Sequence, residues 1–568
     1  MARKLPNYFQ SVAASFLLIS LSIGILPITL FATLSALAYG ALTSSLITSK
    51  TSKADRKEKI VLITGARANK ALTFIRSFKK ANYRVIAAEE EDWGTFACAR
   101  FSLAVDKFYT LPSIASHSAY IEAIKYIVQT EGVTIWVPCS SVQSTLVDAE
   151  AAQQIRELHL GKGTDGFCKS FIQNPDIAAT LHCKDKFEIL LNQLGLPIPH
   201  SKVVTDNARA LDFLYSPEAQ KDQARYILKC MTLDDLGRDD FTLLPLETRE
   251  ETRTHLKNMP TPISKEVPFM VQRFLKGREY CTHVAVREGK LVAFVACRSN
   301  PLLMRYVDVR GLGGDEAKRS VELKLWVEAF LQKWASKLKS DGKVGWEAEL
   351  TGHFSFDFIF DEEEAKWYAL ECNVVSSSWH LSCKQLSSPS LGAGQRPHTA
   401  VTLFSETNTL IDSYIGKSGV EGQIPLSIPP TVTRPRSWFA HALPVAIIRY
   451  FFRLPFLRYI PESLLSVINP GLPKLVWKSG NQDDPTLSPG PSQSPLAVLW
   501  NFAKGTFFSW WFDWNSSGGE KDAYWEWNDP IPFFVVVHVT WVWIFLGLAF
   551  GGKGWKAVNV STERVFAC

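Results

Sequence analysis

The sequence predicts an α/β domain followed by an α+β domain, flanked at both ends by membrane-associated hydrophobic helices. Three observations carry this. Lys59-Ile-Val-Leu-Ile-Thr-Gly65 is a short apolar run, the stretch to Asn82 has helical spacing, and Arg84-Val-Ile-Ala-Ala88 is a second apolar run, together the pattern of a βαβ unit. Phe354, Phe356, Phe358 and Phe360 alternate with Ser355, Asp357 and Ile359, the period of a strand with one face in a core. From about Val12 to Thr48 no residue is charged, a stretch longer than the roughly 20 residues one helix needs to cross a bilayer.

In the α/β part, Gly65-Ala-Arg-Ala-Asn69 lacks the further glycines of a dinucleotide fingerprint. A later strand, Thr134-Ile-Trp-Val-Pro138, ends at Cys139-Ser-Ser141. Ligands gather beyond the carboxyl ends of parallel strands, so this edge either faces a substrate or is a buried loop.

The α+β part holds the residues that suggest chemistry. Lys366 to Asn373 is the natural partner of the phenylalanine strand, with Asp361-Glu-Glu-Glu364 as a charged turn between them. An antiparallel hairpin then brings Asp357 close to Glu371, with Asn373 two residues on and on the same face. Two carboxylates and an amide suit magnesium, a hard cation that keeps substrate phosphates in its shell; a surface hairpin with solvated acids is the plainer alternative. Upstream, the strand Arg225-Tyr-Ile-Leu-Lys229 ends in a lysine able to meet a phosphate as a point charge. Lys186 opens an apolar-periodic helix running to Gly195, where a solvated lysine is the commoner outcome. Pro268 to Phe274 is another strand. Backbone groups of Gln272, Arg273, Phe274 and Leu275 can bond an adenine edge, and Glu279 a ribose hydroxyl or the basic network around phosphates.

Taken in order, these segments resemble the ATP-grasp superfamily: a lysine in a D-K helix, Leu196-Pro-Ile-Pro199 before a strand, an I-L-K strand, a V-Q-x-F hinge, G-x-E, then D-F-I and E-C-N. The resemblance covers about residues 60 to 383. Within the superfamily the sequence is most similar to the mycosporine-glycine synthetase family, through Ala99-Arg-Phe-Ser102, Lys107-Phe-Tyr-Thr-Leu-Pro112, Tyr226-Ile-Leu-Lys229, Gly277-Arg-Glu-Tyr-Cys-Thr-His283 and Asn528-Asp-Pro-Ile-Pro-Phe533. It implies an ATP-grasp fold behind a Rossmann-like pre-ATP-grasp domain. It also implies ATP and magnesium as cofactors and a C-N bond-forming ligase reaction, in which a small carboxylate or cyclic enolone is phosphorylated and an amino acid amine such as glycine displaces phosphate. Lys186 and Lys229 would hold phosphates, Gln272 to Leu275 adenine, Glu279 ribose or the phosphate network, and Asp357, Glu371 and Asn373 magnesium.

Three departures stand out. Glu371-Cys-Asn-Val-Val375 lacks the arginine usual in the last motif, a cation that Arg298 or Arg305 is expected to replace in catalysis. The hinge Val271-Gln-Arg-Phe274 carries a base where an acid is common, and the phosphate-covering loop Thr232 to Asp240 has one glycine.

The expected organisation is an anchor at 1–58, a pre-ATP-grasp domain at 59–180, the ATP-grasp domain at 181–420, a proline-rich linker at 421–437 and an aromatic-rich membrane-associated region at 438–568. The anchor is either one tilted span or two short helices bent at Pro27; Ala36-Leu-Ala38 also offers a signal-peptidase-like site. Lys50, Lys53, Arg56, Lys57 and Lys59 after it, with Arg3 and Lys4 before it, favour a catalytic domain facing the cytosol. Ala440 to Ile460, with Arg449, Arg453 and Arg458, reads as a basic helix at a lipid surface, Trp500 to Trp514 as headgroup-level aromatics, and Ser479 to Ser494 as a mobile loop. Ile531 to Gly551 either spans or docks beside the first segment, or else covers the ligase core or a subunit interface. A net charge of +6 over 568 residues gives no sign of nucleic-acid binding. The ten cysteines form no C-x-x-C pair, so neither a zinc site nor a disulfide framework is signalled, and reduced thiols fit the cytosolic side. Membrane lipid, small-molecule acid or enolone and amino acid are the expected partners, with a homodimer as the default symmetric assembly.

Overall fold

The computed structural model of the protein describes residues 5–47, 59–139, 144–160, 168–231 except 171, 242–298 except 260, 309, 314–374, 426–427, 524–551, 557–559 and 564–566. Arg305, the loop 232–240, the linker and the segments 440–460, 479–494 and 500–514 lie outside these residues.

Helix α1 (Leu5–Ile47) runs as one helix of 43 residues through Pro27, so the two-helix alternative is not formed. The expected βαβ unit follows it. Its elements are β1 (Ile60–Thr64), α2 (Asn69–Lys80), β2 (Arg84–Glu90), α3 (Glu91–Gly94), β3 (Lys107–Leu111), α4 (His117–Glu131), β4 (Ile135–Pro138), α5 (Thr145–Leu160) and β5 (Lys169–Ser170). All pairings are parallel, in the order β3-β2-β1-β4-β5. Every residue of β1 is buried, because a central parallel strand is covered on both faces, which is why its sequence is an unbroken apolar run.

Helices α6 (Pro175–His182) and α7 (Lys184–Gln193) lead into the second part. Asn174 caps α6 by accepting from Ile177 N at 2.9 Å, with Pro175 in the first turn where a missing N–H costs nothing. Strand β6 (Ser201–Val204), α8 (Asn207–Leu214), β7 (Tyr226–Cys230), α9 (Arg249–Lys257) and β8 (Phe269–Arg273) form a small lobe whose antiparallel sheet has the order β6-β8-β7. Then β9 (Gly277–Arg287), β10 (Lys290–Arg298), α10 (Gly314–Ser340), β11 (Gly352–Asp361), β12 (Lys366–Asn373) and β13 (Leu426–Ser427) build a second sheet in the order β12-β11-β9-β10-β13.

One face of this larger sheet is aromatic. Phe356 and Phe358 of β11 pack edge-on against Trp326 of α10, with ring centroids 5.7 and 4.8 Å apart, and Phe330 lies 5.2 Å from Phe356. The alternation read from the sequence is therefore real, and it leaves Asp357, Ser355 and His353 on the opposite face. At one end that face meets the first domain, where Phe74 of α2 lies 5.9 Å from the His353 ring.

The C-terminal helix Ile531–Phe550, with a π-helical turn over Val536–Thr540, docks beside α1. Ser22 Oγ donates to Val537 O at 2.8 Å, and the His538 ring sits between Ser22 Oγ at 3.0 Å and Thr29 Oγ1 at 2.6 Å. Just before this helix, Asp529 is buried against the first domain. Its carboxylate accepts from Arg76 Nε at 2.7 Å, Ser102 Oγ at 2.6 Å and Leu103 N at 2.9 Å. The C-terminal segment thus packs on α2 and the turn at Cys98–Phe101 as well as lying along α1. Both apolar helices are long enough to cross a membrane, a length that buried core helices and signal sequences share.

Candidate functional site

A cavity of about 310 Å³ opens between the small sheet and the larger one. From β7 it receives Ile227 to Cys230, from β9 Glu279 and Tyr280, from the β11–β12 hairpin Asp357, Phe358, Leu370 and Glu371, and from α7 Lys184. Its two carboxylates owe their placement to a bulge. Phe358 pairs with Ala369, but Asp357 pairs with Glu371, so Leu370 is an extra residue on β12. Without it Asp357 would face Leu370 and Glu371 would turn toward the aromatic layer. Asn373, opposite Ser355, donates through Nδ2 to Glu371 Oε1 at 3.4 Å.

The electrostatics of the pair are unbalanced. Burial, and then the Glu371 carboxylate beside it, push Asp357 well above the usual carboxylate range. A hard divalent cation would relieve that repulsion, so the donor set of Asp357, Glu371 and Asn373 fits magnesium. Across the cavity Lys184 Nζ lies 3.5 Å from Glu371 Oε2. Lys229 donates to Gln272 Oε1 at 2.5 Å, and burial, reinforced by the Lys184 charge, pulls it down to about 8. Gln272 in turn donates through Nε2 to Glu188 at 3.5 Å, and Glu188 accepts from Ser201 Oγ at 2.6 Å. Burial raises Glu188 despite these donors. The result is a cavity with cations at one wall and a carboxylate pair at another, an arrangement able to hold a metal-bound polyphosphate.

Several expected residues stand elsewhere. Lys186 is exposed and does not line the cavity; Lys184 does. Residues two apart on a helix point about 200° apart, so only one of the two lysines can face inward. Arg298, expected near the carboxylates, follows Cys297, which shares the sheet face of Asp357, and therefore points to the other face, where it donates to Glu316 of α10 at 2.5 Å. Arg273 pairs with Glu364 at 3.0 Å. The hinge backbone is partly engaged already, since Arg273 N donates to His200 O at 2.8 Å and Phe274 N to Arg225 O at 2.6 Å. Phe274 is exposed and Leu275 buried, while Glu279 lines the cavity. Cys139 is buried at the end of β4, and residues 140–142 lie outside the described residues. Lys184 and Glu188 were not singled out from the sequence, although their spacing of four places them on one helical face.

No protein-family profile matches the sequence, and no curated protein matches it. Among solved structures, the chain is similar to an L-amino acid ligase from Bacillus licheniformis, with 14% identity and a TM-score of 0.37 over 57% of this chain and 69% of that one. It is also similar to N5-carboxyaminoimidazole synthetase from Staphylococcus aureus, with 13% identity and a TM-score of 0.42 over 68% and 83%. A third is the biotin carboxylase domain dimer of the Hydrogenobacter thermophilus 2-oxoglutarate carboxylase, in complex with MgADP and bicarbonate, with 14% identity and a TM-score of 0.43 over 66% and 73%. These are distant similarities, and none singles out a particular protein.

Proposed function

We propose that the protein is an ATP- and magnesium-dependent ligase of ATP-grasp type that activates a small carboxylate or cyclic enolone and couples it to an amino acid amine, in the manner of mycosporine-glycine synthetase or of a related ligase of specialised metabolism. The observation that carries this reading is the convergence, in one cavity between the two sheets, of Lys184 and Lys229 with the paired carboxylates Asp357 and Glu371. Asp357, Glu371 and Asn373 would hold magnesium. Lys229, with Lys184 rather than Lys186 beside it, would hold phosphates, and the Gln272 to Leu275 segment would border adenine. Bound Mg-ATP supplies the phosphoryl group that turns an acceptor oxygen into a leaving group. The protein's own part is positioning: Gln272 fixes Lys229, Glu188 fixes Gln272, and the Leu370 bulge aims Glu371.

The test is ADP and phosphate release by detergent-purified protein, with product mass read in parallel, scanning 4-deoxygadusol and simple carboxylates against glycine and other amines. Turnover that needs both substrates supports a ligase; folded protein that does not bind ATP overturns the reading. Arg298 held by Glu316 on the far face favours a second reading, an ATP-binding scaffold without turnover. ATP binding with no ADP release on any acceptor pair would select it.

Lys229 gives a pH test. It is charged below about 8 and neutral above, so Mg-ADP affinity is expected to fall as pH rises past about 8, by up to about tenfold per unit. Titration calorimetry at pH 7 and 9 checks this. Lys229→Arg, charged throughout, should flatten the dependence.

For location, the reading is a membrane-anchored protein with its catalytic domain on the cytosolic side. Phe31 is 74% exposed, Leu42 67% and Ile23 63%, apolar surface on α1 that lipid would cover. Retention in the membrane pellet after carbonate washing is expected; quantitative release would count against it.

A further inference from the structure

Beside the cavity, on the same face of the larger sheet, lie Cys281, His283 and Cys297. Their ligand atoms are all within 4.8 Å of one another, and all three residues are buried. Cys281 and Cys297 face each other directly across the β9–β10 pair with Sγ atoms 3.4 Å apart. His283 stands in the next row, opposite Ser355, whose Oγ is 2.9 Å from its Nδ1.

A register shift makes this cluster. Lys290 pairs with Arg287 and Leu291 with Val286, but after the irregularity between Leu291 and Ala293 the partners move by one residue. An unshifted hairpin would set Cys281 against Ala296 and send Cys297 to the aromatic face.

We infer that Cys281, Cys297 and His283 form a binding site for a zinc-class divalent ion, separate from the magnesium site and independent of the nucleotide reading. Two sulfurs and an imidazole are the donors such ions select, whereas magnesium takes oxygen. Two thiolates at about 2.3 Å from one tetrahedral ion sit roughly 3.8 Å apart, close to the separation of the two sulfurs here. The Ser355 hydroxyl on Nδ1 fixes the ring, as the partners of ligand histidines do. Each thiol gives its proton to solvent as its sulfur–metal bond forms, the imidazole binds as the neutral base, and the ion keeps its +2 state. Uptake therefore releases two protons and tightens as pH rises. Asp357 lies directly opposite Cys281, so the two sites adjoin, and because two thiolates balance the ion's charge its uptake leaves the net charge beside the carboxylate pair unchanged.

The experiment is titration of reduced, chelator-stripped, full-length protein with Co²⁺, read by absorbance. One equivalent giving thiolate-to-cobalt charge-transfer bands, erased by Zn²⁺, is expected. Cys281→Ser and Cys297→Ser should abolish the bands, and Cys372→Ser, on the other face of the sheet, should keep them. Ser355→Ala leaves both thiols in place and should weaken affinity about tenfold or more. The site is overturned if folded, reduced protein gives no bands, if bands survive loss of both cysteines, or if mapping finds Cys281 and Cys297 joined as a disulfide in the protein as isolated.

Discussion

Asp357→Asn is expected to lower ATP-dependent turnover by about 10²-fold to 10³-fold or more while making the metal-free protein more stable, not less. The two effects share one cause. Asp357 is half-buried beside Glu371, so its carboxylate is costly until a cation joins it. Its pKa is raised on folding, so its contribution to stability is fully present below the ordinary value near 4 and is lost as pH rises from there toward the folded value. Melting of metal-free protein from pH 4 to pH 8 should therefore show a decline in the parent that the variant lacks. Added Mg²⁺ should raise the melting temperature of the parent and leave the variant nearly unmoved. Unchanged turnover in Asp357→Asn would remove this residue from the metal site.

Asp529→Ala is expected to cost about 3 kcal/mol, because it takes the nearer carboxylate from the Arg76 guanidinium, only 3% exposed and left with Glu526 at 3.6 Å, and the acceptor from Ser102 Oγ and Leu103 N. Asp529 gathers three donors, and Arg76 reaches on to Tyr524 O at 2.9 Å and Asp529 O at 2.7 Å. The loss should appear in the urea midpoint and in new protease cleavage near residues 524–551. Arg76→Met combined with Asp529→Leu should recover part of it, since the guanidinium goes with its carboxylate while Ser102 Oγ and Leu103 N still lose their acceptor. No loss in Asp529→Ala would show that the segment is held by its apolar contacts alone.

Much of the site was legible because strands keep a strict period of two. The phenylalanine alternation located β11, and the charged turn set the hairpin that brings Asp357 to Glu371. What the period could not reveal was the pair of one-residue shifts, at Leu370 and between Leu291 and Ala293, since a bulge leaves no mark in hydrophobic alternation when its neighbours are apolar. The second shift is why Cys281 and Cys297, sixteen residues apart and without metal-site spacing, were not read as a pair. The Asp-Lys motif points to Lys186, whereas which lysine faces the cavity depends on how α7 is rotated against β12, a property of packing and not of local sequence. Arg298 stands apart for a simpler reason: it is one residue past the face that carries Asp357. The link between Asp529 and Arg76 joins residues 453 positions apart, beyond the reach of any local pattern.

The clasp between α1 and the C-terminal helix sets an order of events in the cell. Ser22 is made 515 residues before Val537, the carbonyl it binds. At roughly 5–20 residues per second, α1 waits about 25–100 s for its partner. During that interval a long apolar helix lacks its C-terminal partner, and whatever receives that face on leaving the ribosome, lipid or chaperone, must release it again when the end of the chain arrives.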